Sequence, residues 1–314
     1  MKILINDGIH PTGKRLLEEA GFEVSTNKIA QDDLPAKLNE YDAICVRSAT
    51  KVRKDLIDQS PNLKAICRGG VGLDNIDVDY ARSKGIHVIN TPAASSRSVA
   101  ELVFAHLFSI ARFLQQANRE MPVKGNSEFK DLKKNYSAGV ELTGRTLGII
   151  GFGRIGQETA SIALGVGMNV IAVDPYLDSA EVSFGPTSHQ FKVKIETSSM
   201  DEMLKQADAI TLHVPFLGEP VLGTKEFDQM KEGVFIANAS RGGTIDEDAL
   251  LAALESGKVA AAALDVFVGE PKPRVELLSH PNISLTPHIG ASTGEAQEKI
   301  GIELAEKLIA ALKD

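Results

Sequence analysis

Cysteine is scarce in this sequence: of its 314 residues, only Cys45 and Cys67 are cysteines. They lie in the short apolar runs DAICVRS and KAICRGG, and neither belongs to a CxxC pair or to a cysteine-rich spacing. This pattern excludes a disulfide framework and disfavours a metal site that uses both thiols. We therefore expect two buried, reduced thiols, no bound metal and a cytoplasmic protein.

The sequence also lacks an excess of positive charge and a long uninterrupted apolar run. Its 34 lysine and arginine residues are outnumbered by 42 aspartates and glutamates, which argues against nucleic acid or an anionic membrane as a partner. The N-terminus MKILINDG has no long apolar region and no cleavage-like site. The most apolar stretch, SVAELVFAHLFSIARFL, contains Glu101, His106 and Arg112, so its composition predicts a buried helix and not a membrane span.

Short β-branched runs alternate with helix-length segments along the whole chain. Several runs are apolar at successive positions, which is typical of parallel strands covered on both faces by helices. The alternation and the chain length together predict an α/β protein with two doubly wound parallel-sheet domains. The predicted strands are KILIN (2–6), DAICVR (42–47), KAICR (64–68), HVINT (87–91), TLGIIG (146–151), NVIAVD (169–174), AITLHV (209–214), VFIANA (234–239), AAAALDVF (260–267) and NISLTP (282–287).

Two helices have recognisable start signals. Helical spacing runs from Ser98 to about Glu120, and Ser98 with Glu101 has the spacing of a capping box. Ser292 with Glu295 has the same spacing before the last helix.

A glycine-rich turn, Gly151-x-Gly153-x-x-Gly156, follows an apolar strand and precedes a predicted helix. The next predicted strand ends at Asp174, 18 residues after Gly156, which is the context of a dinucleotide-binding turn. The glycines permit the tight turn, the approach of a pyrophosphate and close helix packing, while the helix N-terminus favours phosphate. Asp174 would accept hydrogen bonds from ribose hydroxyls and repel a 2′-phosphate, which predicts NAD and not NADP. A purely structural turn is the alternative.

Three segments after predicted strands supply a cation, two carboxylates and an imidazole. Arg241 follows VFIANA, Asp265 and Glu270 lie in LDVFVGEPKP, and His288 lies in TPHIGAST. Carboxyl ends of parallel strands meet at one edge of a sheet, so these residues should lie on the edge that carries the glycine-rich turn. Oxidation of a hydroxyl-bearing carbon needs a base such as histidine, a carboxylate beside it orients the ring, and arginine binds carboxylates.

Plain structural roles remain open for the same residues. Arg241 and Glu270 have the alternative of ordinary surface or loop positions. Asp265 lies inside an apolar run, so a structural hydrogen-bonding role competes strongly there. Among the other histidines, His106 is expected to be a satisfied core or interface residue, and a core role is open for His213.

Together these segments resemble the D-2-hydroxyacid dehydrogenase family, and within it most closely the D-3-phosphoglycerate dehydrogenases. The resemblance covers nearly the whole chain. The motifs that carry it are VRSATKV (46–52), GGVGLDNID (69–77), INTP (89–92), SVAEL (98–102), ELTGRTLGIIGFGRIGQ (141–157), SRGGTIDEDAL (240–250), AALDVFVGEP (262–271) and TPHIGAST (286–293).

The resemblance implies that Arg241 binds the substrate carboxylate and carbonyl, that His288 is the acid/base and that Glu270 is its hydrogen-bonded partner. It places Asp265 near the nicotinamide carboxamide. The implied cofactor-binding residues are Gly151, Gly153, Arg154, Ile155, Gly156, Asp174, His213, Pro215, Ala239 and Asp265. The implied substrate-binding residues are Arg47, Ser48, Gly70, Val71, Arg97, Lys133 and Lys134.

Two of these substrate assignments have their own physical basis. Backbone N–H groups in residues 70–72 could bind a carboxylate as a nest. For Lys133 and Lys134 a solvated charged loop is the alternative.

The resemblance also implies a discontinuous domain layout. Residues 1–96 and 289–314 would form a flavodoxin-like substrate domain, and residues 97–288 a Rossmann-like NAD-binding domain. The segment from about 98 to 140 would form the interface of a homodimer. The expected partner is a small anionic 2-hydroxyacid or 2-ketoacid.

The implied reaction is NAD-dependent oxidation of D-3-phosphoglycerate to 3-phosphohydroxypyruvate, in L-serine biosynthesis. Two departures keep other substrates open: AASSR (93–97) does not match the Asn-Gly-Asn-Ser of some relatives, and the chain has no tryptophan. Reduction of hydroxypyruvate, glyoxylate or another 2-ketoacid is the alternative, and an NAD(H)-sensing corepressor is a third interpretation. Because the sequence ends at Asp314, we expect no C-terminal regulatory domain and no feedback by serine through one.

Overall fold

The computed structural model describes residues 1–313, and its chain divides into two units. Unit 1 combines Met1–Ser98 with the segment that begins at Ala291, and unit 2 is Val99–Gly290. The divisions therefore lie two residues beyond the boundaries predicted from the sequence. Asp314, the last residue of the predicted substrate domain, lies outside the described residues.

Unit 1 is built on a parallel sheet with the strand order β2-β1-β3-β4-β5. This is the order of flavodoxin-like folds, as predicted. Its strands are β1 (Lys2–Ile5), β2 (Glu23–Ser25), β3 (Ala43–Val46), β4 (Ala65–Arg68) and β5 (His87–Asn90). Its helices are α1 (Pro11–Glu19), α2 (Leu34–Lys37), α3 (Lys54–Asp58), α4 (Val78–Ser83) and α13 (Gly294–Lys313).

Both faces of this sheet are covered, which explains why its strands are apolar at successive positions. Successive side chains of a strand point to opposite faces. Ile3 and Ile5 pack with Leu308 of α13 in one buried cluster, while Leu4 packs with Leu38 in a second.

Unit 2 contains a second parallel sheet, with the strand order β13-β12-β11-β10-β6-β7. Its strands are β6 (Thr146–Ile150), β7 (Asn169–Val173), β10 (Ala209–Leu212), β11 (Val234–Asn238), β12 (Val259–Leu264) and β13 (Ile283–Leu285). The order reverses between β6 and β10, and in open α/β sheets ligands bind beyond the carboxyl ends of the strands at such a point. Its sheet is enclosed by α8 (Arg154–Val166), α9 (Met200–Gln206), α10 (Thr224–Gln229), α11 (Glu247–Ser256), α12 (Val275–Ser279) and the α5–α7 segment described below.

The predicted strands are all present, and most end one or two residues earlier than predicted. The sequence missed β2 and an antiparallel hairpin, β8 (Ser179–Phe184) with β9 (Phe191–Glu196). In this hairpin β9 is largely exposed and β8 is mostly half-buried, so its residues lack the continuous apolar pattern by which the other strands were recognised.

The predicted long helix from Ser98 is wrong in its continuity. It is divided into α5 (Ser96–Ala111) and α6 (Leu114–Lys124), and α7 (Phe129–Asn135) follows. The break falls at Phe113, whose φ of 55° lies in the left-handed region. No single helix in residues 1–313 is long and apolar enough to span a membrane, and α5 and α6 satisfy that test only as a pair bent by 57°.

Both predicted caps are also wrong. Ser98 lies inside α5, which begins at Ser96, so it cannot cap that helix. At the start of α13, the N–H of Ala296 donates to the hydroxyl of Thr293 at 3.2 Å, so Thr293 occupies the capping position and not Ser292. The spacing rule failed because several hydroxyl residues stand side by side at each start.

The two cysteines are free and buried at neighbouring positions of β3 and β4. Within residues 1–313, no group of three or more His, Cys, Asp or Glu side chains is placed to hold a metal ion.

Candidate functional site

The glycine-rich turn directly follows β6 and leads into α8. A β-carbon on Gly151, whose φ is +91°, would lie 2.7 Å from the carbonyl oxygen of His213, and one on Gly156 would lie 2.2 Å from that of Gly151. Both glycines are therefore required by contacts inside the protein. At Gly153, apart from the glycine and its two chain neighbours, no atom of residues 1–313 lies within 4 Å of the added carbon, so space is open in front of α8.

Asp174 follows β7 and is fixed beside this turn. One of its carboxylate oxygens accepts a hydrogen bond from the N–H of Phe152 and the other from that of Tyr176, both at 2.8 Å. Each carboxylate oxygen has a second lone pair, which is suited to a ribose hydroxyl. The open space at Gly153, the N-terminus of the 13-residue helix α8 and this carboxylate together fit a dinucleotide.

The remaining cofactor candidates lie at the same edge of the sheet. Arg154 and Ile155 form the first turn of α8, exposed and half-buried respectively, while Ala239 follows β11 and is half-buried. Pro215 is exposed in the loop after β10.

His213 also follows β10, and its ring is directed towards α8. Its Nε2 lies 3.2 Å from the hydroxyls of both Thr159 and Thr211. Burial of the ring lowers the pKa of His213 to about 3, so the imidazole is neutral. The side chain thus packs between the sheet and α8, which corresponds to the core role left open by the sequence.

His288 and Glu270 are in direct contact. Nδ1 of His288 lies 2.8 Å from Oε2 of Glu270, and Oε1 of Glu270 accepts a hydrogen bond from the N–H of Phe267 at 2.9 Å. The histidine side chain is 42% exposed. With Nδ1 bonded to the carboxylate, Nε2 is the nitrogen available for proton transfer.

Glu270 lies in a loop that is held from a second side by α11. The N–H of Val268 donates to Oε1 of Glu247 at 2.8 Å, and burial raises the pKa of this glutamate. The backbone of Gly242 lies so close to Phe267 that a β-carbon there would be 2.0 Å from the carbonyl oxygen. The loop of Arg241 and the loop of Glu270 are therefore in contact.

Asn238, which the sequence did not single out, builds the loop that carries Arg241. Its Oδ1 accepts hydrogen bonds from the N–H and the hydroxyl of Ser240, at 3.0 and 2.7 Å. Its Nδ2 donates to the carbonyl of Arg241 at 3.1 Å and to the hydroxyl of Thr244 at 2.9 Å. An asparagine at the end of a buried strand was the available signal, because its side chain can satisfy the next turn of backbone.

Asp265 is 1% exposed and its carboxylate is engaged by the protein. It accepts hydrogen bonds from the hydroxyl of Thr286 at 2.6 Å and from the N–H groups of Ile289 and Gly290 at 2.8 and 2.9 Å. This is the structural role that the sequence left open. A position beside the nicotinamide stays a prediction.

In unit 1, two arginines stand at the carboxyl ends of neighbouring strands. Arg47 follows β3, and its N–H donates to Asp7 at 2.8 Å. Arg68 ends β4, and its guanidinium lies over Gly70, where a β-carbon would be 2.7 Å from Nη1. The sequence missed Arg68, although an arginine at a strand end before two glycines was a usable signal.

The other predicted substrate residues are more dispersed. The N–H of Gly70 donates to the hydroxyl of Thr91 at 2.8 Å, so this member of the predicted nest is already occupied, and the carbonyl of Val71 accepts from Asn90. The structure leaves the remaining four exposed: Ser48, Arg97 in α5, and Lys133 and Lys134 in the last turn of α7.

Comparisons with known proteins point to one family. The family model for the NAD binding domain of D-isomer specific 2-hydroxyacid dehydrogenases matches residues 104–290. The chain is 44% identical to a hydroxypyruvate reductase of Thermotoga maritima, over 98% of this chain and 97% of that protein. It is 42% identical to a D-3-phosphoglycerate dehydrogenase of Methanocaldococcus jannaschii, over 98% of this chain and 57% of that longer protein.

Solved structures show the same architecture. A glyoxylate reductase from Paecilomyes thermophila superimposes with a TM-score of 0.83 at 28% identity, covering 100% of this chain and 96% of that one. The strand orders, the glycine-rich turn and these similarities all lead to one assignment: the chain belongs to the D-isomer specific 2-hydroxyacid dehydrogenase family of NAD-dependent oxidoreductases.

Proposed function

We propose that this chain oxidises D-3-phosphoglycerate to 3-phosphohydroxypyruvate, a reaction of L-serine biosynthesis. The observation that carries the proposal is the 2.8 Å contact between His288 and Glu270 at the sheet edge that also bears the glycine-rich turn. An imidazole held by a carboxylate is a group that can accept the hydroxyl proton as a hydride leaves the same carbon.

The residues of unit 2 divide the chemistry among them. The glycine-rich turn and Asp174 would hold NAD, which would supply the acceptor for the hydride that leaves C2 of the substrate. Nε2 of His288 takes the proton of the C2 hydroxyl, and Glu270 stabilises the resulting imidazolium through Nδ1. Arg241 binds the substrate carboxylate through its guanidinium and holds the reacting carbon in position.

The phosphate group of this substrate needs cations of its own. Arg47 and Arg68 of unit 1 supply two guanidinium groups on adjacent strands, which suits a dianionic phosphate. Lys133 and Lys134 are exposed at a helix C-terminus, where their charges already interact favourably with the helix dipole. We therefore assign the phosphate to the two arginines in preference to the lysines.

Reduction of hydroxypyruvate or glyoxylate is the second candidate function. It is favoured by the comparison with the hydroxypyruvate reductase, which matches this chain over nearly its full length. The chain spans only about half the length of the phosphoglycerate dehydrogenases that it resembles.

Steady-state kinetics on a substrate panel decide between the two. We expect a higher kcat/KM for 3-phosphoglycerate than for D-glycerate or D-lactate, because only the phosphorylated acid uses both arginines. Arg47→Ala should weaken the binding of the phosphorylated substrate by about 2–5 kcal/mol and change the binding of glyoxylate much less.

Arg53→Ala is the matched control, since Arg53 is an exposed arginine of unit 1 that pairs with Asp77. An equal loss for glyoxylate and phosphoglycerate in Arg47→Ala would reject the phosphate assignment. Turnover of phosphoglycerate no better than that of lactate would reject the substrate.

We also propose a cytoplasmic homodimer that forms through α5–α7. Large apolar side chains are exposed along this segment, which is unusual for a surface in contact with water. They are Phe108, Leu114, Met121, Val123 and Phe129. Sedimentation of Val123→Asp as a monomer, with the wild type as a dimer, would support the interface, and an unchanged dimer would reject it.

A further inference from the structure

His106 lies in the middle of α5 and is 6% exposed. Both of its ring nitrogens have hydrogen-bond partners on the last strand of unit 2 and just after it. Nδ1 lies 2.8 Å from the hydroxyl of Ser284, and Nε2 lies 2.9 Å from that of Thr286. A satisfied core histidine, as the sequence predicts, accounts for the burial but not for where the second hydrogen bond leads.

The direction of these hydrogen bonds is set by Asp265. The hydroxyl of Thr286 donates to Oδ1 of Asp265 at 2.6 Å, because a carboxylate can only accept. The same hydroxyl has no second proton, so it must accept the proton of Nε2 of His106. Burial lowers the pKa of His106, which favours the neutral ring, and in that form its Nδ1 accepts from the hydroxyl of Ser284.

The series of hydrogen bonds ends at the backbone around His288. Asp265 also accepts the N–H groups of Ile289 and Gly290, the two residues that follow His288. His288 itself has a φ of 54°, in the left-handed region that a residue with a β-carbon seldom adopts. Such a conformation persists only where the surroundings hold it. Asp265 thus fixes the segment before His288, through Thr286, and after it, through two amides.

We propose that His106 is a positioning residue for His288. It orients the hydroxyl of Thr286, which orients Asp265, which holds the left-handed backbone that directs His288 at Glu270. The catalytic consequence rests on the proposed role of His288 as the acid/base. The rigid imidazole suits this task because it donates on one side and accepts on the other, and an apolar side chain of similar size can do neither.

Four variants test the proposal. His106→Leu removes both hydrogen bonds, Thr286→Val removes the link to Asp265, and Ser284→Ala removes a hydroxyl from the opposite side of the same ring. His106→Gln can restore a donor and an acceptor. The measurements are kcat, the KM for NAD and for the hydroxyacid, and hydrogen exchange of the amides of residues 289 and 290 in the protein without ligands.

We expect His106→Leu and Thr286→Val each to lower kcat about 10- to 100-fold, the size expected for a displaced catalytic group, with the KM for NAD within twofold. The double variant should be no slower than the slower single variant, because both changes interrupt one pathway. Ser284→Ala should stay within threefold of the wild type, and His106→Gln should recover most of the loss. The two amides should exchange at least tenfold faster in His106→Leu and Thr286→Val only.

Each other result argues against the proposal. Equal losses of kcat in His106→Leu, Thr286→Val and Ser284→Ala would show a general packing role. Faster amide exchange with unchanged kcat would show that the hydrogen bonds from His106 to Asp265 do not position the acid/base. Unchanged exchange in His106→Leu would show that these hydrogen bonds do not hold the backbone after His288. A wild-type protein without turnover of any 2-hydroxyacid would reject the proposed function, while the exchange data would still decide whether His106 holds this segment.

Discussion

The contact between Gly242 and the loop of Glu270 allows a quantitative prediction. A β-carbon on Gly242 would lie 2.0 Å from the carbonyl oxygen of Phe267 and 2.8 Å from the nitrogen of Val268. Real β-carbons essentially never approach other atoms closer than 3.0 Å, so Gly242→Ala must separate the two loops by about 1 Å. The obstacle is backbone, which cannot swing aside as the end of a flexible side chain can.

Two effects should follow from this displacement. Phe267 donates to Glu270, which in turn contacts His288, so moving Phe267 disturbs the contact that holds the imidazole. A misplacement of about 1 Å costs about 10²-fold in rate. The forced contact should also destabilise the protein by about 1–3 kcal/mol.

The assay is kcat with the preferred 2-hydroxyacid, together with the free energy of unfolding from urea titration. Gly165→Ala is the matched control, because Gly165 lies inside α8 and no atom of residues 1–313 outside its own helix stretch comes within 4 Å of the added carbon. Alanine there should stabilise by about 0.5–1 kcal/mol and leave kcat unchanged. If Gly242→Ala matched the wild type in both kcat and stability, the coupling of the two loops would be refuted.

Three further predictions concern Asp174 beside the glycine-rich turn, the buried imidazole of His213 and the start of α11. Asp174→Ala should weaken NADH binding by about 1.5–3 kcal/mol and raise the ratio of NADPH to NADH affinity in fluorescence titrations; an unchanged ratio would contradict the role of its charge. Because the pKa of His213 is about 3 in the folded protein and 6.5 for an unperturbed histidine, only the unfolded chain gains this proton as pH falls below 6.5. Its contribution to stability should fall by about 1.4 kcal/mol per pH unit in that window, and His213→Gln should show a shallower dependence in urea titrations from pH 6 to 4. Oδ1 of Asp246 caps α11 by accepting the N–H groups of Asp248 and Ala249. Asp246→Ala should therefore lower the free energy of unfolding by about 0.5–2 kcal/mol in urea titrations. An unchanged free energy would argue that the cap is dispensable.

The strands and the glycine-rich turn were predictable because their signals are local. Continuous apolar runs are required where both faces of a sheet are buried, and Ile3, Leu4 and Ile5 show this with zero exposure on alternate faces. The glycine pattern is itself a short sequence signal, although only Gly156 is fixed by a nearby residue, Gly151, while Gly151 is fixed by His213 at the end of the adjoining strand.

The break at Phe113 and the partners of the site residues were not predictable from local signals. Helical spacing continues through Phe113, so only tertiary packing decides that the helix bends there. Glu247 and His106 act on residues about 20 and 180 positions away in the sequence. Their residue types are ordinary for a helix start and a buried helix, so nothing nearby marks them as part of the site.

An aspartate holds the start of a strand at the amino edge of each sheet, which is the edge opposite to the candidate site. Asp42 accepts the N–H of Lys2 at 2.8 Å and pairs with the side chain of Lys64. The hydrogen bond from Lys64 is the main cause that lowers the pKa of Asp42, and the N–H of Lys2 adds to it. Asp208 accepts the N–H of Thr146 at 2.8 Å and pairs with Lys231; here burial raises the pKa, but the hydrogen bonds outweigh it and the pKa is lowered.

In each sheet this aspartate precedes the third strand and holds the start of the first, although no repeat is visible in the sequence. The carboxyl edges use acidic and amide side chains differently. There Asp174, Asn238 and Asp265 accept N–H groups of the loops that carry the candidate site. An aspartate or asparagine at the end of a parallel strand therefore has a structural role without any ligand, since it holds the backbone of a neighbouring loop. Any ligand contact is added to an oxygen that the protein already holds in place, and in this way Asp174 would serve both the turn and the proposed ribose.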